Sequence, residues 1–252
     1  MEDKDILEIG EFLNKRDVEI IGFADTKKSK YLVPEDFTPK SILKDGRSII
    51  CYALPIPKGV IYSKSNDNLL FWRYCAIAYR NLDNITNSLS LLLEDQGYIS
   101  TPINGCFPWK IVNREYWGLL PLVYWAEQAG LGKLTKCGLL GNTKYGTRLL
   151  IGGVLTSKPF KNSEIIKEEI CPEDCLKCVE ICPVKAIDQS GKVNHDLCMR
   201  TANHNPIMSL IIKDNELRKS LDFEKIMNTV GVDDHSIYEC LECIKACPLN
   251  QK

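Results

Sequence analysis

A chain of 252 residues, 44% hydrophobic and 26% charged, has room for one large domain or two small ones and the composition of an ordinary globular protein. Its formal net charge of −1 excludes both the basic footprint of a general nucleic-acid binder and an acidic tail. Residues 1–165 carry 21 Lys and Arg against 18 Asp and Glu, and residues 166–252 carry 11 against 15, an asymmetry too mild to point to nucleic acid or away from it.

The opening "MEDKDILEIGEFL" is charged and amphipathic, with no apolar core of a signal peptide. Ile6, Ile9, Phe12 and Leu13 then recur at helical spacing. "VEIIGFAD" and "RSIICYALPI" read as strands, the second closed by Pro55 and Pro57. "NLLFWRYCAIAYRNLDNITNSLSLLLEDQG" has apolar residues three and four apart up to Gly97, which predicts a long helix. "LPLVYWAEQAG" predicts a helix ended by Gly130, and "RLLIGGVLTS" a buried strand whose glycine pair allows close backbone approach. Beyond residue 170 only short turns surround the cysteines, apart from a helix expected near "LRKSLDFEKIMNTVG". No run approaches the roughly 18 apolar residues of a membrane span, so a cytoplasmic protein without membrane contact is expected. In that reducing compartment twelve cysteines signal metal or redox chemistry rather than disulfides.

Cys51, Cys75, Cys106 and Cys137 are scattered; the other eight all follow residue 170. This shift sets an expected boundary near "LTSKPFKNSEI", giving domains 1–165 and 166–252. The spacing Cys171-x3-Cys175-x2-Cys178-x3-Cys182-Pro183 is close to the bacterial ferredoxin run, whose fourth cysteine serves the other cluster of a pair. Cys198 and the closing Cys240-x2-Cys243-x3-Cys247-Pro248 complete a tally of eight, the number that two 4Fe-4S clusters need. Crossed pairing assigns Cys171, Cys175, Cys178 and Cys247 to one cluster and Cys182, Cys198, Cys240 and Cys243 to the other. The extra residue after Cys171, with Pro172 inside it, departs from the ferredoxin run. Two four-cysteine zinc sites are the alternative, although zinc has no need of the x3-Cys-Pro endings.

All cluster ligands lie behind residue 170, so the long segment in front has another task. Gly130, Gly132, Gly138, Gly141 and Gly146 make "AEQAGLGKLTKCGLLGNTKYGTRLLIGGVLT" a small-residue surface where a flat cofactor could approach backbone amides, or else a set of caps and turns. It matches neither the dinucleotide nor the P-loop fingerprint. The order "AEQAGLG…K…GLL…YG…LIGGVLT", then "CLKCVEICPVKAI", a lone Cys198 and "CLECIKACPLN", resembles the catalytic region of the epoxyqueuosine reductases, with reductive dehalogenases as more distant relatives. "RSIICYALPIP" is similar to that family's early strand.

The resemblance implies an α+β fold in which a nitroreductase-like N-terminal domain holding cobalamin is fused to a small ferredoxin-like two-cluster domain. Electrons from an external low-potential donor of ferredoxin or flavodoxin type would reach cobalt through the clusters, the first-named cluster lying nearer the corrin. Gly130, Gly132, Lys136, Cys137, Gly141, Tyr145, Gly146 and Arg148 would line the corrin or its nucleotide tail. Lys136 and Cys137 take the place of a Lys-Asn pair, and Tyr145 and Gly146 that of an aromatic-Gly pair.

The family's acidic proton donor has no counterpart, for "NREYWGLLPLVYWAEQAG" holds no Asp and only Glu115 upstream. Dehalogenases use a tyrosine, which makes Tyr116 and Tyr124 the candidate proton donors, provided a cation such as Arg114 lowers the phenol pKa. His195, His204 and His235 belong to no corrinoid motif and are read as solvated surface groups. The chain ends five residues after Cys247, which leaves no expected extension for tRNA. Three functions fit: a corrinoid-dependent reductase of a tRNA-borne or small organic substrate, including a dehalogenase-like one; an electron-transfer protein serving a corrinoid or other partner; and a reductase holding FMN on the same scaffold.

Overall fold

Two continuous apolar runs, buried on both faces, build the centre of the molecule. In the computed structural model, which describes residues 2–29, 31–106, 108–202 and 240–251, these runs are adjacent central strands. In chain order the elements are α1 (Glu2–Asn14), β1 (Ile20–Asp25), α2 (Pro39–Ile42), β2 (Ser48–Pro55), α3 (Lys58–Ile61), α4 (Asp67–Asp95), β3 (Ser100–Ile103), β4 (Trp109–Val112) and β5 (Glu115–Gly118). There follow α5 (Leu122–Gln128), β6 (Lys133–Leu134), β7 (Leu140–Gly141), β8 (Leu149–Thr156), α6 (Lys177–Ile181), α7 (His195–Ala202) and α8 (Glu242–Ala246). The helix expected near "LRKSLDFEKIMNTVG", with His204 and His235, lies outside the described residues.

The main sheet runs β1-β2-β8-β3 with every pairing antiparallel. Successive side chains of a strand point to opposite faces. Ile50 and Tyr52 of β2 with Leu150 and Val154 of β8 join the core on one face, under α1, α3 and α4. Ile49, Cys51 and Ala53 with Leu149 and Leu155 join the core on the other, against α5. The 29-residue α4 buries Phe71, Cys75, Leu82, Leu89 and Leu93 along one stripe, as a 3.6-residue period requires. Tyr52 donates across this core to Thr86, whose own hydroxyl donates to Leu82 O at 2.8 Å. The glycine pair in β8 lets both helix layers close. A Cβ on Gly152 would stand 2.9 Å from the Tyr52 ring, and one on Gly153 2.9 Å from Leu122 of α5.

The expected helices and strands of the first 165 residues are present, with Gly97 and Gly130 at positive φ just past α4 and α5. The β4–β5 hairpin was not expected. Its turn residues Asn113 and Arg114 both have positive φ, the geometry that the strand twist favours, but Arg hides the usual Asn-Gly signature. Among the described residues past 170 the helices are short, as expected. Leu241 and Ile244 of the closing segment join the α4-side core, so the two halves of the chain share apolar packing.

Candidate thiol cluster and adjoining cleft

The two Cys-x2-Cys-x3-Cys-Pro stretches fold alike. Each makes one short helix, α6 or α8, with the last cysteine as its C-cap: Cys182 at φ −59°, ψ 115° and Cys247 at φ −67°, ψ 120°. The following proline disfavours helical geometry at the residue before it, which turns both cysteines out of the helix. The helices pack against one another and so exchange their last cysteines. One small cavity is lined by Cys171, Cys175, Cys178 and Cys247, together with Thr135, Lys136 and Cys137. Cys182, Cys198 and Cys243 pack with Cys178, Ala186 and Ile187 in an adjoining cluster, and Cys240 lies within electrostatic reach of Cys198. Among the described residues, no three His, Cys, Asp or Glu side chains converge tightly enough to hold a single metal ion.

The backbone secures these thiols. Ala186 N–H donates to Cys182 Sγ at 3.3 Å. The extra residue after Cys171 is accommodated by Lys136, whose ammonium donates to the carbonyls of Pro172, Glu173 and Cys175, the last at 3.3 Å. Asn250, 1% exposed, accepts from Thr147 N–H at 2.9 Å and donates to Thr147 Oγ1 at 3.0 Å and Ile244 O at 2.7 Å. It thereby ties the segment after Cys247 to the loop of Gly146, where a Cβ would fall 2.0 Å from Asn250 Oδ1. Burial pushes the thiols of Cys198, to about 11, and Cys247 upward. The Cys178 contact pulls the Cys137 thiol down, but the Cys243 contact and burial outweigh it and push Cys137 up to about 12.

Beside the thiols lies an open cleft of about 440 Å³. The hairpin contributes Trp109, Glu115, Tyr116 and Trp117 to it, α5 and its approach Leu120 to Tyr124, and the β6–β7 region Leu134 and Gly138 to Leu140. The cysteine-bearing half contributes Gly191 to Val193, His195 and Met199. The thiol cavity ends at Cys137 and the cleft begins at Gly138, so consecutive residues border both spaces. His195 and Met199 flank Cys198 on α7, which brings the second thiol set to the cleft as well.

Both candidate tyrosines line this cleft. The Tyr124 phenol is not lowered by a cation, as required above; burial and then Glu115 raise it. Tyr124 stacks on Tyr31 with ring centroids 4.2 Å apart, and Tyr31 donates to the buried Glu127. Tyr116 packs tilted against Trp109, centroids 5.1 Å apart. His195 is exposed, as the sequence reading expected, and it also lines the cleft; the surrounding protein holds its imidazole below the usual value, with Glu115 opposing.

The residues that the resemblance places along a corrin are not among those lining this cleft. Lys136 and Cys137 line the thiol cavity. Gly130 abuts Glu164 O, Gly132 abuts Gly141 O, and Gly141 faces Thr135, Ile170 and Thr147. Gly146 seats Asn250; Tyr145 lies under Lys144; and buried Arg148 donates to Ile56 O. The cleft is reached instead by Gly138, Leu139 and Leu140 from the same stretch. Sequence reasoning also missed His195, Trp109 and Trp117, which only the hairpin and the packing of α7 on β5 bring together.

A second groove, about 680 Å³, opens beyond the Tyr31–Tyr124 stack. Lys27, Lys40, Lys44 and Arg47 line it with Tyr31 and Trp125, and Asp45 is the acid among its lining residues.

The chain is an α+β protein with eight thiols in two adjoining sets beside a cleft walled by aromatic residues. In sequence and in fold it is similar to epoxyqueuosine reductases. No family model matches the chain. The epoxyqueuosine reductase of Prochlorococcus marinus is 35% identical over 128 residues, covering 51% of this chain and 36% of that protein. The Staphylococcus aureus epoxyqueuosine reductase is 27% identical over 223 residues, covering 84% and 50%. Among solved structures, an epoxyqueuosine reductase with an epoxyqueuosine-modified tRNA-Tyr stem loop superposes with TM-score 0.63 at 21% identity, covering 100% of this chain and 66% of that one. A catabolic reductive dehalogenase in complex with 3-bromo-4-hydroxybenzoic acid follows at TM-score 0.56 and 14% identity, covering 93% and 30%. The chain spans between somewhat over a quarter and somewhat over half of the length of the curated relatives it matches. Among the described residues, no helix is long and apolar enough to cross a membrane.

Proposed function

We propose that the chain is an iron–sulfur and corrinoid-dependent reductase, with a nitroreductase-like unit at 1–165 and a ferredoxin-like unit at 166–252 carrying two 4Fe-4S clusters. The observation that carries this reading is the single cavity lined by Cys171, Cys175, Cys178 and Cys247, which unites thiols 76 positions apart in the order that crossed ligation requires. Cys182, Cys198, Cys240 and Cys243 form the second set. The two x3-Cys-Pro endings, which zinc does not need, favour clusters over paired zinc ions.

The cleft suits a corrinoid. Its walls are mainly aromatic and aliphatic, its mouth is open, and it touches residues adjacent to both thiol sets. A bound corrinoid supplies a strongly reducing metal centre; an external low-potential protein donor supplies the electrons. The chain's own task is to bind, to exclude water with Trp109, Trp117 and Met199, and to hold protons. Tyr124 is one candidate proton donor on the cleft wall, although burial and Glu115, which keep its phenol protonated, also make it a weaker acid. Tyr116 is the second candidate. A tRNA-borne substrate is supported by the cationic groove, whose lysines and arginine meet a phosphate backbone while Tyr31 and Trp125 offer stacking faces.

Anaerobic reconstitution with iron, sulfide and cobalamin tests the reading by metal analysis and absorption. About eight iron and one cobalt per chain are expected. A protein that never retains corrinoid overturns it, and a retained flavin spectrum replaces it with the FMN reading.

A further inference from the structure

Cys137 is not among the eight thiols that the spacing assigns, yet it touches both sets. It sits in the tight turn between β6 and β7, fixed by the hydrogen bond from Gly138 N to Thr135 O at 2.9 Å and by Gly138 at φ +77°. Its side chain is 8% exposed and packs with Cys178 of the first set and Cys243 of the second. The third neighbour is Thr135 Oγ1 at 3.2 Å. That hydroxyl spends its own proton on Leu139 O at 2.7 Å, so it meets the Cys137 sulfur with its lone pairs. A thiol packed against members of both sets cannot serve as a separate corner of one cluster without leaving the other. Cys137 thus has the place of a neighbour to ligands.

Resting on the two-cluster reading above, we propose that Cys137 is a non-ligating thiol wedged between the clusters, which raises their reduction potentials by offering its S–H to the ligand sulfurs of Cys178 and Cys243. The physical basis is general: a hydrogen bond to a cluster sulfur stabilises the reduced, more negative state and moves the potential upward. One S–H serves one acceptor at a time, so its preference between Cys178, Cys243 and Thr135 decides which cluster feels it more. Sharing one small side chain also places both clusters in contact with the same sulfur, on the shortest line between them. Cys137 is in this sense a positioning residue for electron flow, and its place at the end of the thiol cavity, one residue before the cleft begins, puts that tuning beside the cofactor space.

The test compares the full-length reconstituted chain with Cys137→Ala and Cys137→Ser by iron analysis and by redox titration followed by electron paramagnetic resonance. Both variants should hold about eight iron, as a non-ligand requires. In Cys137→Ala at least one potential should fall by about 59 mV, a tenfold change in the one-electron equilibrium. Cys137→Ser, which keeps a donor, should fall between wild type and Ala, and it carries the test if the Ala variant does not fold. Unmoved potentials in a wild-type-like eight-iron protein overturn the inference alone, and loss of iron in both variants overturns it by making Cys137 a ligand. A wild type with four iron or fewer overturns the two-cluster reading and this inference with it.

Discussion

The stretches before and after residue 170 are held together by different chemistry. The first is a sheet with hydrocarbon on both faces, where Leu82, Leu89, Ile49 and Ile50 reach zero exposure. Among the described residues of the second, Cys178 and Cys182 pack with Ala186 and Ile187, and Cys137 of the first stretch joins them. A hydrocarbon core tolerates replacement at a cost proportional to what is removed. A core made of metal ligands depends on metal, because the binding free energy of the ions is folding free energy. On the proposed reading, one stretch is organised by burial and the other by coordination, with Asn250, Lys136 and Lys245 as the ties between them.

The harshest way to separate the halves is Cys247→Ser. Crossed ligation predicts a fall from about eight iron to about four, with the cluster of Cys182, Cys198, Cys240 and Cys243 retained and the β-rich half still folded by circular dichroism. A variant that keeps all its iron would show that the closing segment does not serve the first set.

Leu82→Ala attacks the other half. Removing a fully buried side chain at the centre of α4 should cost about 3 kcal/mol in denaturant unfolding. The iron content of the protein that remains folded should not change, and a parallel loss of iron would show that the two halves unfold as one.

Asn250→Ala tests the join directly. It strips a buried staple of three hydrogen bonds and leaves Thr147 N–H without its partner, an expected loss of about 2 kcal/mol. Because Asn250 positions the residues after Cys247, the first cluster should also be lost faster to a chelator than the second; equal rates would place the staple outside cluster retention.

The smallest effect belongs to the Asp67–Lys245 pair, 2.7 Å apart and partly open to water. Asp67→Asn should cost no more than about 1 kcal/mol. The hydrogen bond from Lys245 is the main reason that the Asp67 carboxyl is held below its usual value. The pair's contribution is therefore complete above the ordinary aspartate range and fades as pH falls through the lowered value. Lys245, raised chiefly by Asp67, loses its share only above the usual lysine range. Stability curves of wild type and Asp67→Asn should accordingly converge at acid pH; a constant gap down to full protonation would remove the pair from the account.

Much of the architecture was legible because it follows from local periodicity. The apolar stripe of α4, the continuous apolar runs of β2 and β8 and the stops at Gly97 and Gly130 are properties of short windows. The cysteine spacing spoke for the same reason, since Cys-x2-Cys-x3-Cys-Pro dictates a helix turn and an outward thiol within eight residues. The cleft was not legible. Its walls come from a hairpin closed by an atypical Asn-Arg turn, from α5 and from a helix about 70 residues further on. The glycine-bearing stretch misled in detail because glycine serves equally where a ligand approaches backbone and where protein does. Here Gly132, Gly141 and Gly146 meet protein.

The sequence by itself therefore determined the long helix, the central strands and the spacing of the eight late cysteines, though not the β4–β5 hairpin, since each of these rests on spacing along the chain. Only the tertiary structure decided which side chains share the cleft, that four cations gather in a groove despite a net charge of −1, and that Cys137 stands between the thiol sets. Those facts depend on distances between residues far apart in the chain, which closure of the sheet and docking of the last helix set and no local pattern encodes.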